Sequence, residues 1–113
     1  DLSLPLLEDL LCLDDLSFRE KFSGSPIKRI GRDRFIRNVL IAMGNSRAKT
    51  PTVDFLNLLG DSSNIVRAMA VWALGRMISG KKLKTLSAPY LKVEPDADVL
   101  EEWDRALAAG SNA

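Results

Sequence analysis

The feature that most constrains the fold is a pattern that occurs twice along the chain. Ala42-Met43-Gly44 matches Ala73-Leu74-Gly75 at an offset of 31 residues, and Arg37 matches Arg67 at an offset of 30. The second copy is complete, with the spacing D-x4-V-R-x2-A-x2-A-L-G between Asp61 and Gly75. A period of this length is typical of proteins whose units cannot bury their apolar face alone and therefore stack on one another. The repeat predicts a stack of similar units.

Each unit is predicted to be helical. Apolar residues recur at helical spacing in nearly every segment, whereas the alternation typical of strands occurs in almost none. In the second copy, Asp61 is expected to cap the helix and Gly75 to end it, while the alanines allow close helix contact. Asp96 and Gly110 have the same spacing and predict a last helix that caps the stack. The pattern resembles short HEAT-like repeats, so we expect an all-α fold, a short α-solenoid of about two helical hairpins with capping helices.

Other start and stop signals predict the remaining elements. Ser17 is expected to cap a short helix, and Ser25-Pro26 to open a short turn that ends at Gly31. Residues 81–91 are expected to form a less regular helix that Pro89 shortens or kinks.

Length and composition favour one soluble globular domain. The chain has 113 residues, of which 46% are hydrophobic and 27% charged. No apolar run approaches the roughly 20 residues of a membrane-spanning helix, because Pro5, Glu8 and Asp9 interrupt the leucine-rich start. The chain starts with Asp1 where a complete gene product starts with Met. We therefore expect it to be a domain of a longer protein.

The residue types exclude several kinds of site. Cys12 is the only cysteine and there is no histidine, which excludes an internal disulfide, a Cys/His zinc site and a self-contained iron–sulfur cluster. Ser-His-Asp and Cys-His catalysis lack their base. Cys12 lies among leucines and is expected to be a small core residue. An enzyme is the least favoured class, since it would need a perturbed carboxylate pair such as Asp14-Asp15.

Charge is segregated along the chain. Residues 1–18 carry a net charge of −5, residues 19–49 of +7 and residues 50–113 of −1, and residues 67–84 hold five bases and no acid. Two basic segments adjacent in space would form an electropositive face, which is typical of proteins that bind polyanions. Alternatively, these cations are the solvated surface of ordinary helices.

One segment resembles a known family. Residues 24–29 read Gly-Ser-Pro-Ile-Lys-Arg, and they are followed by Arg37-Asn38 and Ala42-Met43-Gly44-Asn45. With Asp14-Asp15 before and residues 66–67 and 72–75 after, the match covers about 65 residues, 11–76. It resembles the C-terminal region of the tRNA epoxyqueuosine reductases.

The resemblance implies a role in the last step of queuosine biosynthesis. In that family, an upstream module holds cobalamin and two [4Fe-4S] clusters and reduces an epoxide on a modified base of the tRNA anticodon, while the HEAT-like domain helps to hold the tRNA. Nothing in this chain resembles the cluster-binding cysteine runs. The resemblance therefore implies that this chain is a non-catalytic fragment of a cytoplasmic oxidoreductase, without a cofactor of its own. The expected partners are the anticodon stem-loop region of tRNA and the upstream module, with no membrane partner and a monomeric state.

The resemblance also implies a domain division. Residues 1–31 would form N-terminal helices and a Ser-Pro turn that join the upstream module, and residues 32–113 the repeat domain, together one compact unit. The main alternative is a HEAT-like domain that binds proteins or serves as a scaffold.

Candidate RNA contacts lie in the basic segment. A Ser-Pro helix start exposes backbone N–H groups next to cations, which favours anion binding. The candidates are Lys28, Arg29, Arg32, Arg34 and Arg37. In the alternative, Ser25-Pro26 only caps a turn, and Arg37 pairs with Asp61 or a helix C-terminus.

Further residues have two interpretations each. Arg67 is interpreted as structural, and Lys81, Lys82 and Lys84 follow a helix C-terminus, which itself favours cations. Trp72 and Trp103 are expected in the core, with Tyr90 the better candidate for stacking on a base. Asn38 could contact a base edge or be a satisfied buried amide.

Overall fold

Seven α-helices and no strand make up the part of the chain that the computed structural model describes, which is residues 4–46 and 50–111. The helices are α1 (Leu4–Leu10), α2 (Asp15–Lys21), α3 (Arg32–Ser46), α4 (Val53–Asn57), α5 (Asn64–Met77), α6 (Gly80–Val93) and α7 (Ala97–Ser111). Two 3-10 segments, Pro26–Ile30 and Leu58–Gly60, precede α3 and follow α4. The all-α prediction is confirmed. None of these helices combines the length and the apolar character needed to cross a membrane.

Side-chain caps start the N-terminal elements. Asp14 caps α2, since its carboxylate accepts the Ser17 N–H at 2.8 Å and the Ser17 hydroxyl accepts the Asp14 N–H at 3.0 Å. The prediction that Ser17 is the cap is wrong, because Ser17 is the returning partner of a reciprocal capping box. Ser25 caps the Pro26–Ile30 turn as predicted, with its hydroxyl 3.2 Å from the Ile27 N–H.

The central helix is α5. It packs against both α3 and α7, while α1 and the Pro26–Ile30 turn pack on α3 and α6 packs on α7. Val66, Ala70 and Leu74 of α5 are completely buried. The N-terminal elements and the longer helices therefore share one core. The division at residues 31 and 32 stays a prediction.

The two repeat glycines lie at helix contacts and not at helix ends. α3 continues past Gly44, and α5 continues past Gly75. A Cβ on Gly44 would overlap the ring of Trp72 at Cζ3, and one on Gly75 would lie 3.0 Å from Cβ of Ala106. The prediction that Gly75 ends its helix is therefore wrong, because the glycines allow close approach of the next helix.

The predicted cap of α5 is displaced by two residues. Ser63 is the N-cap and accepts the Val66 N–H at 3.3 Å, while Asp61 accepts the Ser63 N–H at 3.0 Å. The predicted cap of α7 is confirmed, since the Asp96 carboxylate accepts the Val99 N–H at 3.0 Å.

The helix α6 begins earlier and ends later than predicted. It continues past Pro89 to Val93. Because it begins at Gly80, Lys81 and Lys82 lie in its first turn, where the helix dipole disfavours cations. They also follow the C-terminus of α5 at Met77, as predicted.

The residues predicted to lie in the core differ in how far they are buried. Trp103 is 1% exposed and belongs to the core, as predicted, whereas Trp72 is only partly buried against it. Cys12 is exposed, and its thiol lies 3.4 Å from the Asp9 carbonyl oxygen. The prediction of a core cysteine is wrong, because Cys12 follows the end of α1 and the neighbouring Leu11 and Leu13 occupy the core positions.

Candidate nucleic-acid interface

The Pro26–Ile30 turn has two chemically different sides. A 3-10 helix has three residues per turn, so Ile27 and Ile30 lie on the same side. Lys28 and Arg29 fall on the other sides, and all four residues are exposed. Gly24 and Gly31 flank the turn with φ of +78° and +82°, a region that glycine adopts without strain. The turn thus separates an apolar surface from a cationic one.

The cationic side carries side chains that are available to a partner. An open pocket of about 600 Å³ is lined by Gly24, Ser25, Pro26, Lys28 and Arg29. Arg34, in the first turn of α3, is also exposed. Within residues 4–46 and 50–111, none of Lys28, Arg29 and Arg34 forms an ion pair. We call these three cations the basic turn surface.

Arg32, a fourth predicted contact, is held by protein groups. Its guanidinium binds the Asp61 carboxylate through two hydrogen bonds of 2.9 and 2.8 Å, and its Nε donates to the Leu13 carbonyl oxygen at 2.9 Å. Its Nη1 also lies 3.1 Å from Asp33. The side chains of Arg32 and Asp61 are 10% and 12% exposed. Arg32 therefore joins the start of α3 to the loop before α5.

The environment of Asp61 keeps it ionised. Burial by itself raises the pKa of Asp61, but hydrogen bonds from Arg32 and from the Ser63 N–H, with the charges of Arg32 and Arg67, outweigh it. The pKa of Asp61 consequently lies below its ordinary value.

A second bridge of the same kind lies between α5 and the loop before α7. Arg67 binds Glu94 through its Nε and Nη2, each at 2.9 Å, and its Nη1 donates to the Asp61 carbonyl oxygen at 2.9 Å. The side chain of Glu94 is 5% exposed. Arg67 therefore joins α5 to the loop before α7, which confirms its structural interpretation. We call the two bridges, Arg32–Asp61 and Arg67–Glu94, the arginine ladder.

Arg37, the fifth predicted contact, is partly buried on α3. It does not pair with Asp61, whose carboxylate is bound by Arg32. Its Nε is buried and has no hydrogen-bond partner among the described residues. For all five predicted residues, contact with RNA stays a prediction. The +7 segment also includes Arg47 and Lys49, which lie outside the described residues.

An apolar pocket of about 260 Å³ lies on the other side of the turn. It is lined by Leu7, Leu10, Ile27, Ile30, Phe35, Asn38, Val39 and Ala42. Ile27 and Ile30 remain 39% and 43% exposed. Asn38 is also exposed, so the interpretation as a satisfied buried amide is wrong.

The two aromatic side chains considered for stacking on a base, Trp72 and Tyr90, each contact another side chain of the protein. Trp72 is covered on one side by Arg76, whose Cζ lies 5.3 Å from the ring centroid and whose Nε donates to the Gly44 carbonyl oxygen at 2.9 Å. Tyr90 stacks on Trp103 with centroids 6.1 Å apart. Both rings are therefore held by the fold.

Donors for a metal ion do not converge in the described part of the chain, which has no group of three or more His, Cys, Asp or Glu side chains suited to one.

The sequence reasoning missed Arg32 as a structural residue and Glu94 as the partner of Arg67. The acids of the two bridges, Asp61 and Glu94, each precede a helix start by three residues, which is the one signal that could have indicated them.

Several curated proteins are similar to this chain. An epoxyqueuosine reductase of Xanthomonas campestris is 32% identical over 77 residues, which is 67% of this chain and 22% of that protein. An epoxyqueuosine reductase of Bacillus cereus is 28% identical over 108 residues, 95% of this chain and 28% of that protein. An "Uncharacterized protein in gldA 3'region" of Geobacillus stearothermophilus is 31% identical over 103 residues, 90% of this chain and 47% of that protein.

The matched reductases are much longer than the matched region. The chain spans 22% and 28% of the two reductases described above and about half of the Geobacillus protein. No family model matches the chain, and no solved structure matches it with significance.

Proposed function

Since most of the chain is distantly homologous, at about 30% identity, to one part of the epoxyqueuosine reductases, we propose that it is a non-catalytic, C-terminal docking domain of such an enzyme. It would hold tRNA near the anticodon stem-loop through a basic face, during the last step of queuosine biosynthesis. The catalytic work would belong to an upstream module of the same protein.

The observation that carries this proposal is the basic turn surface. Lys28, Arg29 and Arg34 are exposed and make no ion pair within the described ranges, so their charges are not neutralised by the fold. Phosphate groups bind such cations and release counterions in the process. Arg32 would contribute indirectly, because it holds the start of α3 beside the turn.

The helix arrangement supports a HEAT-like solenoid as the framework of this surface. α3, α5 and α7 pack in series, and the arginine ladder joins their starts. In a stack of this kind each unit contacts only its neighbours, so the basic turn surface would lie at one end of the stack.

The cofactors of the proposed parent enzyme do not fit the residues of this chain. A [4Fe-4S] cluster takes four cysteine thiolates, and the chain has one cysteine and no histidine. We therefore assign the two clusters and the cobalamin to the upstream module. The protein would act in the cytoplasm as a monomer.

A protein-binding role is the second candidate. An open groove of about 340 Å³ beside Trp72 and Met69 could accept an apolar segment of another protein. Apolar docking would respond little to ionic strength, whereas phosphate contacts would respond strongly.

Titration of tRNA by fluorescence anisotropy at two or more salt concentrations tests the proposal. The test variant is Lys28→Glu, Arg29→Glu, Arg34→Glu, and the matched control is Lys82→Glu, Lys84→Glu, Lys92→Glu on α6, which has the same charge change. Each lost phosphate contact should lower the log–log salt slope by about 0.7, so three should lower it by about 2.

The outcomes separate the two candidate functions. Salt-dependent binding that the test variant loses and the control keeps supports docking through the basic turn surface. Equal loss in both variants contradicts that surface, and an affinity that does not change with salt supports the protein-binding role. Circular dichroism spectra establish that each variant is folded.

A further inference from the structure

The apolar pocket beside the Pro26–Ile30 turn has a size that limits its ligand. Its volume of about 260 Å³ is below the roughly 300–1,000 Å³ of pockets that hold drug-sized molecules. Ile27 and Ile30 form one wall and remain 39% and 43% exposed, so a ligand would cover apolar surface that the fold leaves in water. A single flat ring system fits these limits better than an extended chain.

One polar group lies at this pocket. Asn38 lines it and is exposed, and among the residues that the structure describes its side-chain amide has no hydrogen-bond partner. An asparagine amide offers two donors and one acceptor with two lone pairs, which matches the mixed donor and acceptor edge of a nucleobase. Apolar walls with one amide are therefore suited to a base.

The turn and the helix that line this pocket also carry the three cations of the basic turn surface, those of the turn on its other sides. Lys28 and Arg29 belong to the turn that forms its wall, and Arg34 lies one helical turn before Asn38 on the same face of α3. A nucleotide has the same combination of features, an apolar ring next to an anionic phosphate. The charge of the basic turn surface thus complements the backbone to which such a base is attached.

We propose that this pocket holds one unpaired base of the bound RNA, with the flanking phosphates on Lys28, Arg29 and Arg34. The assignment rests on the proposed function, because it deepens the tRNA contact. Paired bases cannot enter, since their edges and faces are occupied in the helix. The domain would therefore favour a loop over a duplex of equal charge.

The experiment compares two RNA probes that have the same number of phosphates. One is a hairpin with a fluorescent adenine analogue at one loop position, prepared in turn for each loop position, and the other is a fully paired duplex. The test variant is Ile30→Asn, which keeps the charge and the number of side-chain heavy atoms and replaces an apolar part of the wall with a polar group. The control is Ile65→Asn, since Ile65 is 47% exposed at the start of α5, away from the pocket.

A second pair of variants tests the amide. Asn38→Ala removes the group that lines the pocket, and Asn57→Ala removes an exposed asparagine on α4. We expect Ile30→Asn to weaken hairpin binding about tenfold and Asn38→Ala about threefold. Neither change should alter duplex binding or the salt slope of the hairpin, and both controls should bind like the wild type.

The fluorescence gives an independent readout. At one loop position the emission should change on binding to the wild type and to Ile65→Asn, and not on binding to Ile30→Asn. Hairpin and duplex binding with equal affinity, or equal binding by Ile30→Asn and Ile65→Asn, would overturn the base pocket while salt-dependent docking stands. If neither probe nor tRNA binds at low salt, the docking function fails as well.

Discussion

Replacing Arg32 with methionine tests whether the arginine ladder stabilises the packing of α3 and α5. The change removes the guanidinium and keeps much of the apolar stem. In the wild type this group donates two hydrogen bonds to Asp61, one to Asp33 and one to the Leu13 carbonyl oxygen. Asp61, whose side chain is 12% exposed in the wild type, would lose the cation that is paired with its carboxylate.

The burial of the pair sets the size of the effect. Removing one partner of a fully buried pair costs roughly 3–5 kcal/mol, whereas exposed pairs contribute about 0–1 kcal/mol. The side chains of Arg32 and Asp61 are about a tenth exposed, and the Asp61 carboxylate still accepts the Ser63 N–H in the variant. We therefore expect the free energy of unfolding to fall by about 2–3 kcal/mol. For a domain of 113 residues this corresponds to a Tm lower by about 10 °C.

Urea and thermal unfolding followed by circular dichroism measure the loss. Asp61→Asn and the double variant complete a mutant cycle, and we expect the double variant to lose less than the sum of the single losses, since both remove the same bridge. The control is Arg105→Met. Arg105 is 64% exposed and pairs with Glu101 and Glu102 on the surface of α7, so its replacement should cost less than about 1 kcal/mol.

The pH dependence provides a further check with a defined sign. The pKa of Asp61 is lower in the folded protein than its ordinary value of 3.8, so the bridge stabilises above that value and this contribution is lost as the pH falls through the folded-state pKa. The difference in unfolding free energy between wild type and Arg32→Met should therefore shrink below about pH 3.8. A difference that is constant with pH, or additive losses in the cycle, would refute the reasoning.

Three further outcomes follow from packing and exposure. Gly44→Ala should lower the unfolding free energy by about 1–3 kcal/mol because its methyl group meets an indole ring, whereas Gly60→Ala, with open space around it, should not destabilise in the same urea titration. Cys12 should react with a maleimide as fast in the native protein as in urea, because it is exposed; strong native-state protection would contradict this. Arg67→Met should destabilise at least as much as Arg32→Met in thermal unfolding, since Glu94 is the more buried acid.

Local signals in the sequence predicted the elements that depend on local chemistry. The Ser25-Pro26 start requires only a hydroxyl and a ring with a fixed φ, and the structure has it where expected. Trp103 was likewise expected in the core, where the structure has it. These features involve neighbours within one or two turns.

Features that depend on distant residues were not predictable in this way. Gly75 has the sequence signature of a helix end, but its role is set by Ala106, 31 residues later. Arg32 was grouped with the exposed cations because its partner, Asp61, is 29 residues away. For the candidate site, sequence identified the cations, while the pocket beside Asn38 required the packing of the turn on α3.

The arginine ladder also has a consequence for how the protein opens. Each bridge ties the start of one long helix to the loop that precedes the next, and both bridges meet at Asp61, through its carboxylate and its carbonyl oxygen. Separating α5 from either neighbour therefore breaks a bridge and exposes a buried acid. Opening of one of these helices alone becomes costly relative to opening of all three, so the slowest amide protons of α3, α5 and α7 should exchange together, as one cooperative unit.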